Sequence, residues 1–589
     1  MLDIRNNKTF IAIANKLILI ILLGTAILVC FIISSFLFVY LTKDISRDYN
    51  KLLITIKKQE FLLVFKNLYL IFYKWSLWLY NNFNKFNFYE FNYIKLKITV
   101  SLFAPISILI IACAISFRKI IKYKFVKEKE FQYGNAHWAT QEEIAAAKLR
   151  EKEGLLLGKD ENGYFVAGGY EHALLFAPTG SGKGVGFVIP NCLFWKDSMF
   201  VHDIKLENYE LTSGWRLQQG QKIFVWEPSN PDGITHCYNP MDWISKKPGQ
   251  MVDDVQKIAN LIITEKDFWN NEARSLFLGV VLYLIADDTK VKTFGQVVRT
   301  LKSDDVILDL AAGLDEYGEK MHPAGYMNLA AFLQKPDKER GSVLSTLNSG
   351  LELWANPLID AATATSDFNI MNFKKERTTV YVGLTPDNTT RLQKLMQVFY
   401  QQAVDFLCRK MPDLKEEPYG VLFLMDEFPT LGKMEQFKTG IAFFRGYRVK
   451  LFLIVQDTQQ LKAIYEEAGM NSFLSNSMYR ITFAANNYET ATLISNLCGT
   501  KTVEQESYGV AKLFKPDSGS KNVSYGQRAL LLPQEVIMLP RDEQIILIES
   551  KPPIKSKKII YFQDPDFKVK LLPKTEVPQQ KETFVKKIL

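Results

Sequence analysis

His172-Ala-Leu-Leu-Phe-Ala-Pro-Thr-Gly-Ser-Gly-Lys-Gly-Val-Gly186 sets an uninterrupted apolar strand directly against a glycine-rich loop. A strand with no polar side to offer water must be covered on both faces, and that requires a parallel sheet sandwiched by helices. The glycines let consecutive backbone N–H groups converge, and Lys183 adds an ammonium at the mouth of the following helix. That combination suits the β- and γ-phosphates of a nucleotide. Candidate contacts are Ala177, Pro178, Thr179, Gly180, Ser181, Gly182, Lys183, Gly184 and Val185. Two positions depart from the pattern G-x-x-x-x-G-K-[ST]: Ala177 replaces the first glycine, and Gly184 replaces the hydroxyl residue that ligates Mg²⁺. ATP with Mg²⁺ is the expected cofactor, and the metal must draw on a carboxylate from elsewhere.

Val421-Leu-Phe-Leu-Met-Asp-Glu427 supplies that carboxylate. Five apolar residues ending in two acids read as a second buried strand, and ligands collect at the carboxyl ends of parallel strands. Asp426 is the expected Mg²⁺ group. Glu427, also close to the metal, is expected to orient and deprotonate the attacking water. Further strands are expected at His172–Ala177, Ser198–Asp203, Lys222–Glu227, Thr379–Leu384, Lys450–Gln456, Tyr479–Ala484 and Gln544–Glu549, with helices such as Arg391–Cys408 and Tyr488–Leu497 between them. Between Trp243 and Phe373 the period changes to that of helices, so a helical block should project from the sheet.

The formal charge is +9, unevenly spread. Residues 1–130 hold nineteen Lys/Arg against seven Asp/Glu, and residues 131–589 carry a net −3. A basic duplex-binding domain is therefore not expected. The six cysteines are scattered without paired spacing, which implies neither a disulfide framework nor a zinc site. Leu17–Leu41 and Ile98–Phe117 are uncharged stretches of 25 and 20 residues, each long enough to span a bilayer. Lysines and arginines flank the pair on both outer sides, which places both ends in the cytoplasm. Residues 61–80, rich in Leu, Phe, Tyr and Trp, suit the headgroup zone or a third span.

The expected architecture is an α/β P-loop NTPase domain with a mostly parallel sheet, an inserted all-helical subdomain and an N-terminal two-helix transmembrane anchor. Its expected parts are the anchor (1–130), the first nucleotide-binding segment (131–245), the insert (246–372), the second nucleotide-binding segment (373–563) and a loose tail (564–589).

These residues resemble the coupling proteins of type IV secretion systems, a TraG/TraD-like branch of the FtsK–HerA pump ATPases. The resemblance rests on Gly134-Asn-Ala-His-Trp-Ala139, Pro178–Gly184, Asp203-Ile-Lys-Leu-Glu207, Tyr238-Asn-Pro240, Met425-Asp-Glu-Phe428, Leu453–Leu461, Arg528–Glu535 and Leu539–Gln544. In that family a glycine after the loop lysine is usual. The resemblance implies a hexameric ATPase of the bacterial inner membrane, held in lipid by its anchor with the catalytic region cytoplasmic. Its partners would be the secretion channel proteins, and its cargo effector proteins or a relaxase–DNA complex. Gln456, at a strand end, would sense the γ-phosphate or position water. Arg445 and Arg448 are candidates for an arginine reaching a neighbouring subunit's nucleotide, or plain interface arginines. Two alternatives are an FtsK-like duplex translocase and a docking receptor that binds nucleotide without turnover. The −3 balance favours protein cargo.

Overall fold

The structure, a computed structural model, describes residues 133–508 and 521–580, with positions 73 and 77. The expected spans at 17–41 and 98–117, and all but two positions of 61–80, lie outside the described residues. Among the described residues no helix is long and apolar enough to cross a membrane.

Strands that are apolar throughout become the middle of one eleven-stranded sheet. In chain order the strands are β1 (Leu155–Asp160), β2 (Gly163–Ala167), β3 (His172–Phe176), β4 (Ser198–Ile204), β5 (Lys222–Trp226), β6 (Thr378–Leu384), β7 (Val421–Met425), β8 (Val449–Val455), β9 (Ser477–Thr482), β10 (Thr500–Tyr508), β11 (Lys521–Ala529), β12 (Glu543–Ile548) and β13 (Ile554–Lys557). Their order across the sheet is β2-β1-β13-β12-β9-β3-β8-β7-β4-β6-β5. The seven strands from β9 to β5 run parallel, and β12, β13, β1 and β2 extend the sheet antiparallel. Each of the eight expected strands is present, Val421–Met425 with the bounds expected and no end of the others off by more than two residues. β10 and β11 form a separate two-stranded ribbon.

Side-chain alternation along each central strand divides the core in two. Leu174, Phe176, Phe200, Phe423 and Leu453 face one side, and Ala173, Leu175, Val201, Leu424 and Ile454 face the other. Helices α1 (Gln141–Ala146), α2 (Ile189–Phe194) and α3 (Glu207–Gln218) precede the insert. The insert between β5 and β6 consists of α4 (Pro248–Ile262), α5 (Phe268–Ala286), α6 (Phe294–Leu301), α7 (Val306–Tyr317), α8 (Pro323–Leu333), α9 (Asp337–Leu351) and α10 (Pro357–Ala362). Its core is not separate: Val280, Phe294 and Leu347 belong to the same apolar cluster as Phe200 and Trp226 of the sheet. The join is made by α11 (Thr389–Leu407), whose Phe399 packs on Trp226, Tyr238 and Phe200. Helices α12 (Glu435–Phe444), α13 (Thr458–Asn476) and α14 (Tyr488–Cys498) complete the cover.

The segment 564–589, expected to be loose, is anchored to the domain at several points along its described part. Phe567 is fully buried among Leu156, Val166, Ile189 and Leu193. Asp564 accepts from Lys159 Nζ at 2.8 Å and from the Tyr164 hydroxyl at 2.6 Å. Beyond it the chain crosses α3 so closely that a Cβ on Gly214 would lie 2.0 Å from Pro573 O. It then pairs with the loop after β5: Gln580 N donates to Gly233 O at 2.8 Å and Thr235 N to Pro578 O at 3.2 Å. That loop itself lies along β5, where His236 N donates to Val225 O and Glu227 N to Thr235 Oγ1, both at 2.8 Å. Lysine and proline give this stretch a disordered composition, but Phe567 and the backbone pairs anchor it.

Candidate functional site

Three adjacent strands, β3, β8 and β7, deliver the expected residues to one place at their carboxyl ends. The loop after β3 begins with Ala177 N donating to Val455 O at 2.9 Å, which ties it to β8. Gly180 and Gly182 have φ of +74° and +82°, conformations open to glycine at little cost. A Cβ built on Gly180, Gly182 or Gly184 would meet nothing within 4 Å, so the loop surrounds open space. Thr179 and Gly180 are exposed; Ser181 to Val185 are half-buried, and Ala177 and Pro178 buried. The helix that follows opens as a wide π-turn over Gly184–Val188 before continuing as α2. Such turns are uncommon and concentrate at functional sites.

Lys183 reaches across to both acids, lying 3.1 Å from Asp426 Oδ1 and pairing with Glu427 Oε1. On its other oxygen Glu427 accepts from Gln456 Nε2 at 3.4 Å. Glu427 holds its backbone at φ +67°, ψ +50°, the left-handed region that a non-glycine residue occupies at a cost of about 1 kcal/mol or more. Burial pushes the Asp426 carboxyl above its ordinary pKa, with the Glu427 and Glu207 carboxylates adding to the rise and Lys183 opposing it. Ser181 Oγ is buried with no hydrogen-bond partner, and the buried Asp426 Oδ1 has only the Lys183 ammonium beside it. A buried hydroxyl without a partner and a carboxylate pair held by one lysine, beside an open, amide-lined loop, are what a Mg²⁺–nucleotide would complete, so the residues present fit that cofactor.

Arg445 and Arg448 stand apart from this cluster. Both precede β8, at the amino end of the strands, a strand length (about 20 Å) from Lys183. Arg445 is exposed, with only a 3.9 Å contact to Glu171, whereas Arg448 Nη2 donates to the Tyr170 hydroxyl at 2.8 Å. Neither can serve the nucleotide loop of its own chain.

Lys558, just past β13, is a site residue that the sequence did not single out. Its ammonium donates to Ser181 O at 3.0 Å and lies 3.5 Å from the centre of the Phe483 ring. Burial pushes its pKa down to about 8, against the pull of Asp542. It sits in the lysine-rich run Ile554–Lys558, where nothing distinguishes it from its exposed neighbours.

Three other segments of the resemblance make structural contacts. Asp203 accepts from Asn208 Nδ2 at 2.9 Å and Tyr209 N at 2.8 Å, opening α3 after left-handed Lys205 and Leu206. Tyr238 donates to Gln402 Oε1 at 2.7 Å, joining the insert's base to α11. Gly134 to Ala136 lie against β10, where a Cβ on Gly134 would come within 2.4 Å of Thr500 O.

A parallel sheet with a glycine loop after β3, carboxylates after β7 and the Gln456 strand between them defines a P-loop NTPase domain. Residues 135–583 match the family model for type IV secretory system conjugative DNA transfer, and the chain belongs to that family. It is 34% identical over 449 residues to VirD4 of Rhizobium rhizogenes, an alignment covering 73% of this chain and 66% of that protein, just under two-thirds. It is 30% identical over 512 residues to the conjugal transfer protein TraG of Escherichia coli, covering 77% and 80%. Its fold resembles the bacterial conjugative coupling protein TrwBdeltaN70, with a TM-score of 0.54 at 13% identity over 77% of this chain and 97% of that one. The plasmid coupling protein TrwB in complex with ADP and Mg²⁺ gives a TM-score of 0.53 at 14% identity, covering 76% and 98%.

Proposed function

We propose that this chain is the ATP-hydrolysing coupling subunit of a bacterial type IV secretion apparatus. The observation that carries the reading is the convergence of Lys183, Asp426, Glu427 and Gln456 at the ends of three neighbouring strands. The solved TrwB complexes with ADP and Mg²⁺ and with the ATP analogue ADPNP support the choice of cofactor. Bound Mg²⁺–ATP supplies the phosphoryl group and the charge that offsets its negative oxygens.

The protein's own part is placement. The amides of Gly180 to Gly184 and the Lys183 ammonium hold the phosphates, and Asp426 offers Oδ1 to the metal. Glu427, steadied on one oxygen by Gln456, is placed to take a proton from water. Arg445, exposed and far from its own loop, would act on a neighbour's nucleotide in a homo-hexamer. Residues 1–130 would anchor the ring in the inner membrane, with this domain in the cytoplasm. The cargo reading that meets both the family's DNA-transfer description and the −3 balance of residues 131–589 is a relaxase-capped DNA strand recognised through its protein part; an effector protein would satisfy the charge alone.

The test is phosphate release by the purified full chain, with ADPNP binding measured in parallel. Turnover by the wild type and its loss in Glu427→Gln with binding retained are expected. Binding without any turnover in the wild type would convert the motor into a docking receptor.

A further inference from the structure

The left-handed backbone of Glu427 is held from outside its own strand. Thr430 Oγ1 donates to Glu427 O at 2.7 Å, and Thr430 N donates to the same oxygen at 3.0 Å. With its only proton committed, Thr430 Oγ1 must accept from His202 Nε2, 3.1 Å away. His202 is fully buried on β4, and burial keeps it neutral, its pKa lowered to about 4. Its other nitrogen, Nδ1, must then accept from the Tyr400 hydroxyl at 3.2 Å. The donors run one way: Tyr400 to His202, His202 to Thr430, Thr430 to the Glu427 carbonyl.

Tyr400 lies on α11, which grips the same turn twice more. Gln393 Nε2 donates to Thr430 O at 3.1 Å and Gln397 Nε2 to Leu431 O at 2.7 Å. Gly432, at φ +64°, leaves room for Gln393, whose amide would be 2.7 Å from a Cβ there. The same helix is bound to the insert. Lys394 Nζ caps the end of α4 through Ile262 O at 2.8 Å, and Arg409, just past α11, pairs with Asp254 of α4 at 2.7 Å. α11 has 19 residues, a rod of about 28 Å, so bonds to α4 and to the Glu427 turn share one stiff element.

We propose that Thr430 is the positioning residue for Glu427, and that α11 holds Thr430 through Tyr400, His202, Gln393 and Gln397 so that the insert sets the rate of hydrolysis. This rests on the hydrolase reading above. Shifting the turn leaves phosphate binding at Lys183 intact but misplaces the base, and misplacements near 1 Å cost about 100-fold in rate.

The full chain with ATP tests this. Thr430→Val keeps the side chain's shape and removes the hydroxyl; kcat should fall about 10- to 100-fold while KM and ADPNP affinity stay within about twofold. Thr430→Ser should restore most of kcat, which general loosening would not explain. Lys394→Met, remote from the nucleotide, should lower kcat less, and the loss should vanish in a Thr430→Val background. If Thr430→Val fails to fold, Gln393→Leu, which removes the α11 bond to Thr430 O, carries the same expectation. Unchanged kcat in the folded variants, or equal losses for valine and serine, would overturn the proposal. A wild type that binds ATP without hydrolysing it would overturn the hydrolase reading itself.

Discussion

The parallel and antiparallel parts of the one sheet are built from different material and do different work. In the parallel part, β3, β7 and β8 are buried along their whole length and end at the nucleotide loop and carboxylates. In the antiparallel part, β13 alternates buried and exposed residues, and β1 and β2 lose their cover toward their shared turn. The parallel strands cannot slide without exposing apolar surface, so their ends make a rigid frame for chemistry. The antiparallel part tolerates charge, and the segment that leaves it uses charge: Lys558, just past β13, braces the loop after β3 from behind. A frame of one kind and a brace of the other is what the contrast teaches.

The sharpest test of the frame is Glu427→Gln. Loss of the base should lower kcat by about 100- to 10,000-fold while nucleotide binding survives, read by phosphate release and by fluorescent-nucleotide titration. Next comes the seam where the tail meets the antiparallel strands. Phe567→Ala should cost about 3–5 kcal/mol in denaturant unfolding, with nucleotide affinity unchanged below the transition. A loss under about 1 kcal/mol would mean the tail is only draped there.

Lys450 breaks the apolar rule of the parallel part. It is fully buried at the start of β8, and burial pushes its pKa down to about 7, opposed only by Glu171. From about pH 7 to 10.4 the unfolded lysine binds a proton that the folded one does not, so its contribution makes stability rise with pH, by up to about 1.4 kcal/mol per unit. The gain of Lys450→Met over wild type should therefore be largest near pH 7 and shrink toward pH 10; a constant difference would refute it. The smallest effect is expected for the brace. Lys558→Met should weaken ATP binding about three- to tenfold, roughly 1 kcal/mol, with little change in kcat. Unchanged affinity would leave Lys558 a packing residue.

The same contrast explains what could be read from the chain. HALLFA, VLFLMDE and the strand ending at Gln456 announce themselves because strands buried on both faces need unbroken apolar runs, and their ends needed only the parallel-sheet rule to meet. That rule also places Arg445, before β8, at the far edge. Ile554–Lys557 was invisible because it is a four-residue strand between β1 and β12 whose alternate side chains reach water, so it shows no apolar run. Phe567 was one aromatic in a lysine-rich tail, and its partners lie about 400 residues earlier. The hold on Glu427 is likewise unreadable, since His202, Gln393 and Thr430 are unremarkable until the fold brings them together.

The pairing around β5 has a consequence for assembly. The outermost strand of a sheet ordinarily offers a row of open amides on which another chain can polymerise. Here the loop 233–236 occupies part of that border, and residues 578–580 in turn occupy the loop. Sheet-to-sheet joining of one copy to another is thereby blocked along the covered stretch of that border.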